Sequence, residues 1–188
     1  MKWSWTTLWL ASCGTVAPAT VPPLCCARIE TATGVATATS LGNGLWLTAQ
    51  HVVSKNQIVV LAGHPDRIEV VAVGDGSCPG GDWCFFRSGV LLDPALPYDA
   101  SGKLPARGEQ VTVLGYGGEK GELLMITARF RELRQGSIVL DFPDDRVYYG
   151  ISGGPVIHNG RLLGVISGRV TEDGDVFQAA ARPFAQNP

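Results

Sequence analysis

The chain has 188 residues, 45% of them apolar and 17% charged, with a formal net charge of −2. It is too apolar for a disordered chain and has no positive excess with which to bind nucleic acid by neutralising phosphates. Its length suits one domain or one domain of two compact halves. The 24 glycines and 12 prolines mark many turns, yet no apolar run reaches the ~18 residues of a membrane-spanning helix.

Lys2 is the only charged residue before Arg28. A short apolar stretch, residues 3–11, is diluted by Ser4, Thr6 and Thr7 and ends in Leu10-Ala11-Ser12-Cys13. A basic start, an apolar stretch and small residues before a cut follow the plan of a secretory signal. Residues 1–12 therefore read as an export signal. Leu-Ala-Ser-Cys also resembles a bacterial lipobox. That resemblance implies that Cys13 is lipidated and that the protein is periplasmic or tethered to a membrane. Residues 13–27, rich in Thr, Ala, Pro and Val and without charge, read as an extended tether.

There are five cysteines: Cys13, Cys25, Cys26, Cys78 and Cys84. An odd count in an exported protein leaves one thiol to explain. Lipidation of Cys13 leaves four, which allow three pairings. Adjacent Cys25 and Cys26 suit a disulfide least, because bridged Cα atoms usually stand about 5.5–6 Å apart. Cys78–Cys84 would close a short Pro-Gly-Gly loop, and Cys84 reads equally well as a buried thiol in an apolar run. No Cys/His spacing suits zinc, so neither a metal nor an organic cofactor is expected.

From Arg28 the chain alternates in short β-like stretches rich in Val, Ile and Thr, each bounded by turn-forming residues. The first set is 29–33, 35–39, 45–48, 57–62, 68–73 and 83–86. Residues 93–108, with three prolines after Asp93, Leu96 and Leu104, read as a linker. The second set is 110–115, 123–131, 137–142, 155–158, 162–167 and 176–181. Two sets of six strands predict an all-β fold of two packed six-stranded antiparallel barrels, about 28–92 and 109–182.

The strongest chemical signal is Gly150-Ile151-Ser152-Gly153-Gly154-Pro155. A tight glycine-flanked turn can aim the amides of Gly150 and Ser152 at one point, where they would stabilise an oxyanion. The Ser152 hydroxyl would stand at the same point as a nucleophile, which needs a base. His51, in Leu47-Thr48-Ala49-Gln50-His51-Val52-Val53, follows a β-like run where the strand passes into a short helical turn. His64 and His158 read as exposed turn residues. Asp82, at the mouth of an apolar strand, is costly to bury without a partner, and an imidazole would supply one. Asp75 is the rival acid, among neighbours that mark a solvated turn.

The order His51, Asp82, Ser152 and the two motifs around His51 and Ser152 resemble those of chymotrypsin/trypsin-like serine peptidases. The segments Leu104–Gly117 and Leu163–Gly168 resemble the first strand of that family's second barrel and the strand that pairs with substrate. The resemblance spans about 30–182. It implies a double β-barrel with the site in the cleft between barrels, a catalytic His51, Asp82 and Ser152, and an oxyanion hole at Gly150 and Ser152. It also implies a specificity pocket before Ser152 and around Ser167, Gly168 and Arg169. Arg146 and Arg169 there would favour an acidic substrate residue, and Asp175 a basic one.

Three positions depart from the family pattern: Gln50, Trp83-Cys84 and Ile151. Ile151 replaces the aspartate that captures a new N-terminus after activation cleavage. The chain therefore resembles the compact bacterial or phage-type members made without that switch. The Gly-x-Ser-x-Gly of α/β-hydrolases needs an acid and then a histidine after the serine, and no histidine follows Asp173 or Asp175. The expected function is a monomeric serine endopeptidase acting on a protein or peptide substrate. The alternative is an inactive protease-fold binding or scaffold protein at the cell envelope.

Overall fold

The computed structural model describes residues 25–183, apart from 33, 54–56, 93–94, 99–101, 119–120 and 144–148. The first half holds β1 (Cys26–Thr31), β2 (Gly34–Gly42), β3 (Leu45–Thr48), β4 (Ile58–Leu61), β5 (His64–Arg67), β6 (Glu69–Val73) and β7 (Cys84–Arg87). The second holds β8 (Gln110–Gly117), β9 (Glu122–Arg134), β10 (Ser137–Asp141), β11 (Pro155–His158), β12 (Arg161–Glu172) and β13 (Asp175–Ala181). All neighbouring strands within each sheet are antiparallel.

The second half is a closed six-stranded barrel, ordered β10-β13-β12-β11-β8-β9, with β9 pairing back onto β10. The first half completes the expected double-barrel architecture, with one strand more than the six read from the sequence. It is a seven-stranded sheet, β5-β4-β1-β2-β3-β7-β6, curled into a half-barrel. The Ile68 amide donates to the Gln57 carbonyl at 3.1 Å, which extends the β4–β5 pairing one residue past Ile58 and Arg67. Side-chain bonds from Asp66 join edge strand β5 to the segment after β7. The Asp66 carboxylate accepts the Ser88 hydroxyl and, at 2.6 Å, the Gly89 amide. These bonds hold the Asp66 carboxyl below its usual range, the Ser88 hydroxyl foremost.

The strand missing from the sequence reading is β5. Gly63-His64-Pro65-Asp66 reads as a turn, but β5 is an edge strand, where the absent N–H of Pro65 costs no ladder bond. Ala62 and Gly63, at φ 51° and 82°, make the two-residue turn before it, both in the left-handed region that a tight hairpin requires.

Strand alternation divides the apolar residues among three clusters. In β3, Trp46 enters the first core with Ile29, Leu61 and Phe86, while Leu47 faces the other half. In β8, Val113 enters the second core with Ile138 and Val156, while Leu114 faces the first half. Leu47, Leu114, Ile157, Leu162 and Val165 thus form a seam between the halves. The connecting segment follows that seam. Leu96 is buried and its amide donates to Ser40, while Leu162 donates to the Pro97 carbonyl.

Candidate active site

The turn from Tyr149 to Gly154 leaves none of its carbonyls idle. Tyr149 O accepts the Gly118 amide at 3.2 Å, and Gly150 O accepts the Thr37 hydroxyl at 2.9 Å. Ile151 O accepts the Gly154 amide at 2.8 Å, and Ser152 O accepts the Thr37 amide at 2.8 Å. Gly153 O accepts the Thr39 hydroxyl at 2.9 Å, and Gly154 O accepts the Ile166 amide at 2.9 Å. By contrast, the amides of Gly150 and Ser152 find no acceptor among the described residues. Trans peptide planes point them away from the carbonyls so fixed.

Glycine is required for this arrangement. Gly150 has φ +93°, and a Cβ there would lie 2.3 Å from Tyr116 O. Gly153 has φ +82°, and its Cβ would meet Thr37 O at 2.0 Å. Ile151 is buried in the second core. It lies so close to β8 that a Cβ on Gly115 would stand 2.9 Å from its own. An apolar side chain in a notch left by Gly115 and Gly117 thus anchors the turn where the family pattern has an aspartate.

His51 sits in a single 3-10 turn, Gln50–Val52, directly after β3. Asp82 closes a second one, Pro79–Gly81, directly before β7. Because β3 and β7 pair, with Thr48 opposite Cys84, the two turns come together. The Asp82 carboxylate accepts the His51 amide at 3.0 Å through Oδ1, and its Oδ2 lies 2.6 Å from His51 Nδ1. The second bond holds the imidazole above its ordinary value of 6.5, against the opposing effect of partial burial. Asp75 takes no part. It accepts the Ser77 amide within its own turn.

The departures at Gln50 and Trp83-Cys84 leave this pair intact. Gln50 packs near Gly76. Trp83 joins the seam and meets Phe85 edge-on at 5.4 Å. Cys84 is buried, which pushes its thiol up to about 12. None of the four described cysteines is in a disulfide, and Cys78 donates to Gln135 O instead of reaching Cys84.

His51 and Ser152 line one cavity of about 540 Å³. No hydrogen bond joins them among the described residues. Ser167, Gly168 and Arg169 form another wall. They lie where β12 slips register against β13, a bulge of the kind that re-aims side chains beside a site. Ser167 itself is 6% exposed and donates to Pro79 O at 2.8 Å, tying this wall to the turn that carries Asp82. Arg146 and Cys13 lie outside the described residues. His64 is an exposed residue of an edge strand, not a turn residue. His158 is half-buried at the end of β11, 3.5 Å from the Glu109 carboxylate.

The family model for the trypsin-like peptidase domain matches residues 32–165. The chain belongs to the trypsin-like peptidase family. No curated protein matches this trypsin-like peptidase. Its fold is shared by the active form of the Rv3671c protease of M. tuberculosis, with 25% identity and a TM-score of 0.66 over 86% of this chain and 77% of that one. The serine protease of a human pathogenic astrovirus is 24% identical, with a TM-score of 0.63 over 90% and 96% of the two chains. An inactivated protease paralogue from the scabies mite gives a TM-score of 0.72 at 12% identity, covering 87% and 88%. The fold is therefore that of a serine protease, and it is found in both active and inactivated proteins.

Sequence reasoning missed Thr37, Gly118 and Tyr149. Tyr149 is 78% exposed and lines both the main cavity and a 200 Å³ neighbour beyond Gly150. The available signal for Thr37 was its pattern with Thr39, two hydroxyls on one face of a strand.

The His51–Asp82 bond has a measurable signature. His51 should titrate above 6.5 in NMR of the folded chain, and Asp82→Asn should bring the value down. A raised folded value contributes stability that is fully present below about pH 6.5 and fades as pH rises through it. An unchanged titration in the variant would break the assignment.

Proposed function

We propose that this peptidase is a serine endopeptidase working through an acyl-enzyme. The observation that carries the reading is the His51–Asp82 pair in one cavity with Ser152, on a turn whose Gly150 and Ser152 amides lack acceptors. Ser152 Oγ attacks the peptide carbonyl carbon as His51 Nε2 takes its proton. Asp82, bonded at Nδ1, fixes the tautomer and stabilises the imidazolium. The two amides receive the oxyanion. His51 then protonates the departing amine, and water repeats the sequence on the ester to release the acid.

A fluorophosphonate serine-hydrolase probe tests the reading. The parent should be labelled at Ser152 and Ser152→Ala should not. The rate should rise with pH through the raised His51 value, because the base must be neutral. A folded parent that takes no label would point to the alternative, a binding or scaffold protein without turnover.

Arg169 gives the reading a substrate class. It is exposed on the cavity wall with no ion-pair partner, and no carboxylate lines the cavity among the described residues. Asp175 is not on that wall. A substrate with an acidic side chain beside the cleaved bond fits this charge. Against a panel of peptides varied at that residue, Glu or Asp should be cleaved best. Arg169→Glu should lower kcat/KM on them by roughly tenfold or more, as expected for unmatched charges at close range. Equal cleavage of basic peptides by the parent would refute this preference.

Export and lipidation at Cys13 also stand as inferences, supported by the sequence of residues 1–27. In a bacterial host, the parent should fractionate with membranes and Cys13→Ser should be soluble. The same distribution for both would exclude the anchor.

A further inference from the structure

We propose that Thr37 is a positioning residue that holds the oxyanion-binding geometry of the Tyr149–Gly154 turn. The inference rests on the serine peptidase reading of the site. Thr37 lies on β2, in the half of the molecule opposite the turn, and is 0% exposed. Its side-chain oxygen donates to Gly150 O at 2.9 Å and accepts the Tyr116 amide at 2.8 Å. Its amide donates to Ser152 O at 2.8 Å, and its carbonyl accepts the Thr48 hydroxyl at 2.8 Å. One residue thus ties β2, β3 and β8 to the turn.

The location of the bond to Gly150 O matters most. The peptide plane between Gly150 and Ile151 stands between the two planes that carry the Gly150 and Ser152 amides. Those outer planes are held by Gly118 N on Tyr149 O and by Gly154 N on Ile151 O. The Thr37 hydroxyl fixes the plane between them. Gly150, at φ +93°, is the joint about which the turn can rotate, because glycine samples both signs of φ at little cost. Rotation there would turn a carbonyl toward the position of an amide donor. The hydroxyl opposes that rotation, since leaving it would strand Gly150 O and the Thr37 hydroxyl proton without partners, while the Tyr116 amide keeps the hydroxyl itself in place.

Thr39 provides an internal control. It is equally buried and its hydroxyl bonds Gly153 O at 2.9 Å. That carbonyl belongs to the Gly153–Gly154 peptide, which carries neither donor amide. Loss of either hydroxyl removes one buried bond to the same turn, and only Thr37 adjoins the donor planes.

The experiment measures the fluorophosphonate labelling rate and thermal midpoint of the full chain for the parent, Thr37→Val, Thr37→Ser and Thr39→Val. Thr37→Val should slow labelling roughly 30- to 100-fold, toward the effect of losing one oxyanion donor. Thr37→Ser should label within about 3-fold of the parent, because it keeps the hydroxyl. Thr39→Val should also lower Tm, by less than Thr37→Val because it strands one backbone group rather than two, and should still label within about 3-fold. The acid limb of the pH profile should stay in place in Thr37→Val, because His51 is untouched. If Thr37→Val does not fold, Thr37→Cys, with a weak donor of similar size, carries the same expectation. Labelling at the parent rate by folded Thr37→Val, or by Thr37→Cys where the valine variant does not fold, overturns the proposal, as does an equal slowing by Thr39→Val. A parent that takes no label defeats the peptidase reading itself, whereas a labelled parent with an unaffected Thr37 variant defeats this inference alone.

Discussion

A glycine-rich turn can serve as a rigid site only if something outside it removes its freedom. In this molecule the restraint comes from the opposite half of the chain. Two threonines on β2 face the turn across the seam and take three of its carbonyls: Gly150 O and Gly153 O through their hydroxyls, and Ser152 O through the Thr37 amide. Of the remaining carbonyls, Tyr149 O and Gly154 O are taken by Gly118 and Ile166 of the second half, and Ile151 O by Gly154 within the turn. Buried backbone oxygens must be satisfied, so the turn cannot move unless the two halves part. The apolar seam of Leu47, Leu114, Ile157 and Leu162 keeps them together. The site is therefore a property of the interface between the halves, and neither half carries it alone.

The same dependence joins the other side of the cavity. His51 and Asp82 leave adjacent strands of the first half at the same level, so strand pairing brings them together. Ser167, from the second barrel, bonds the turn just before Asp82. Each half thus holds a functional segment of the other. The serine turn is fixed by β2, and the aspartate turn is fixed by β12.

Much of this was legible in the sequence, for identifiable reasons. The all-β architecture followed from short apolar runs between turn formers. His51, Asp82 and Ser152 stood out because each combines reactive chemistry with a local context of turn and strand. The structure sets Asp82, not Asp75, against the imidazole. Strand β5 was hidden by Pro65, which argues against a strand everywhere except at an edge. Thr37 was hidden because alternation gives the face on which a residue lies but not what covers that face. A threonine opposite Ala36 and Ala38 reads as solvent-exposed, yet here the second barrel covers it. The curl of the first half is held by Asp66 side-chain bonds to Ser88 and Gly89, for which periodicity has no signature.

Ile151 changes how the molecule responds to its surroundings. A turn anchored by an ion pair loosens when the pair titrates and weakens as salt screens it. A turn anchored by an isoleucine against Gly115 and Gly117 has no charge to titrate or to screen. Its hold instead follows the temperature dependence of apolar burial, which weakens on cooling. Order in the turn is thereby separated from acidity and ionic strength. The imidazole of His51 remains the acid-sensitive component of the site, and cold, more than acid or salt, is the condition that would slacken the turn around Ser152.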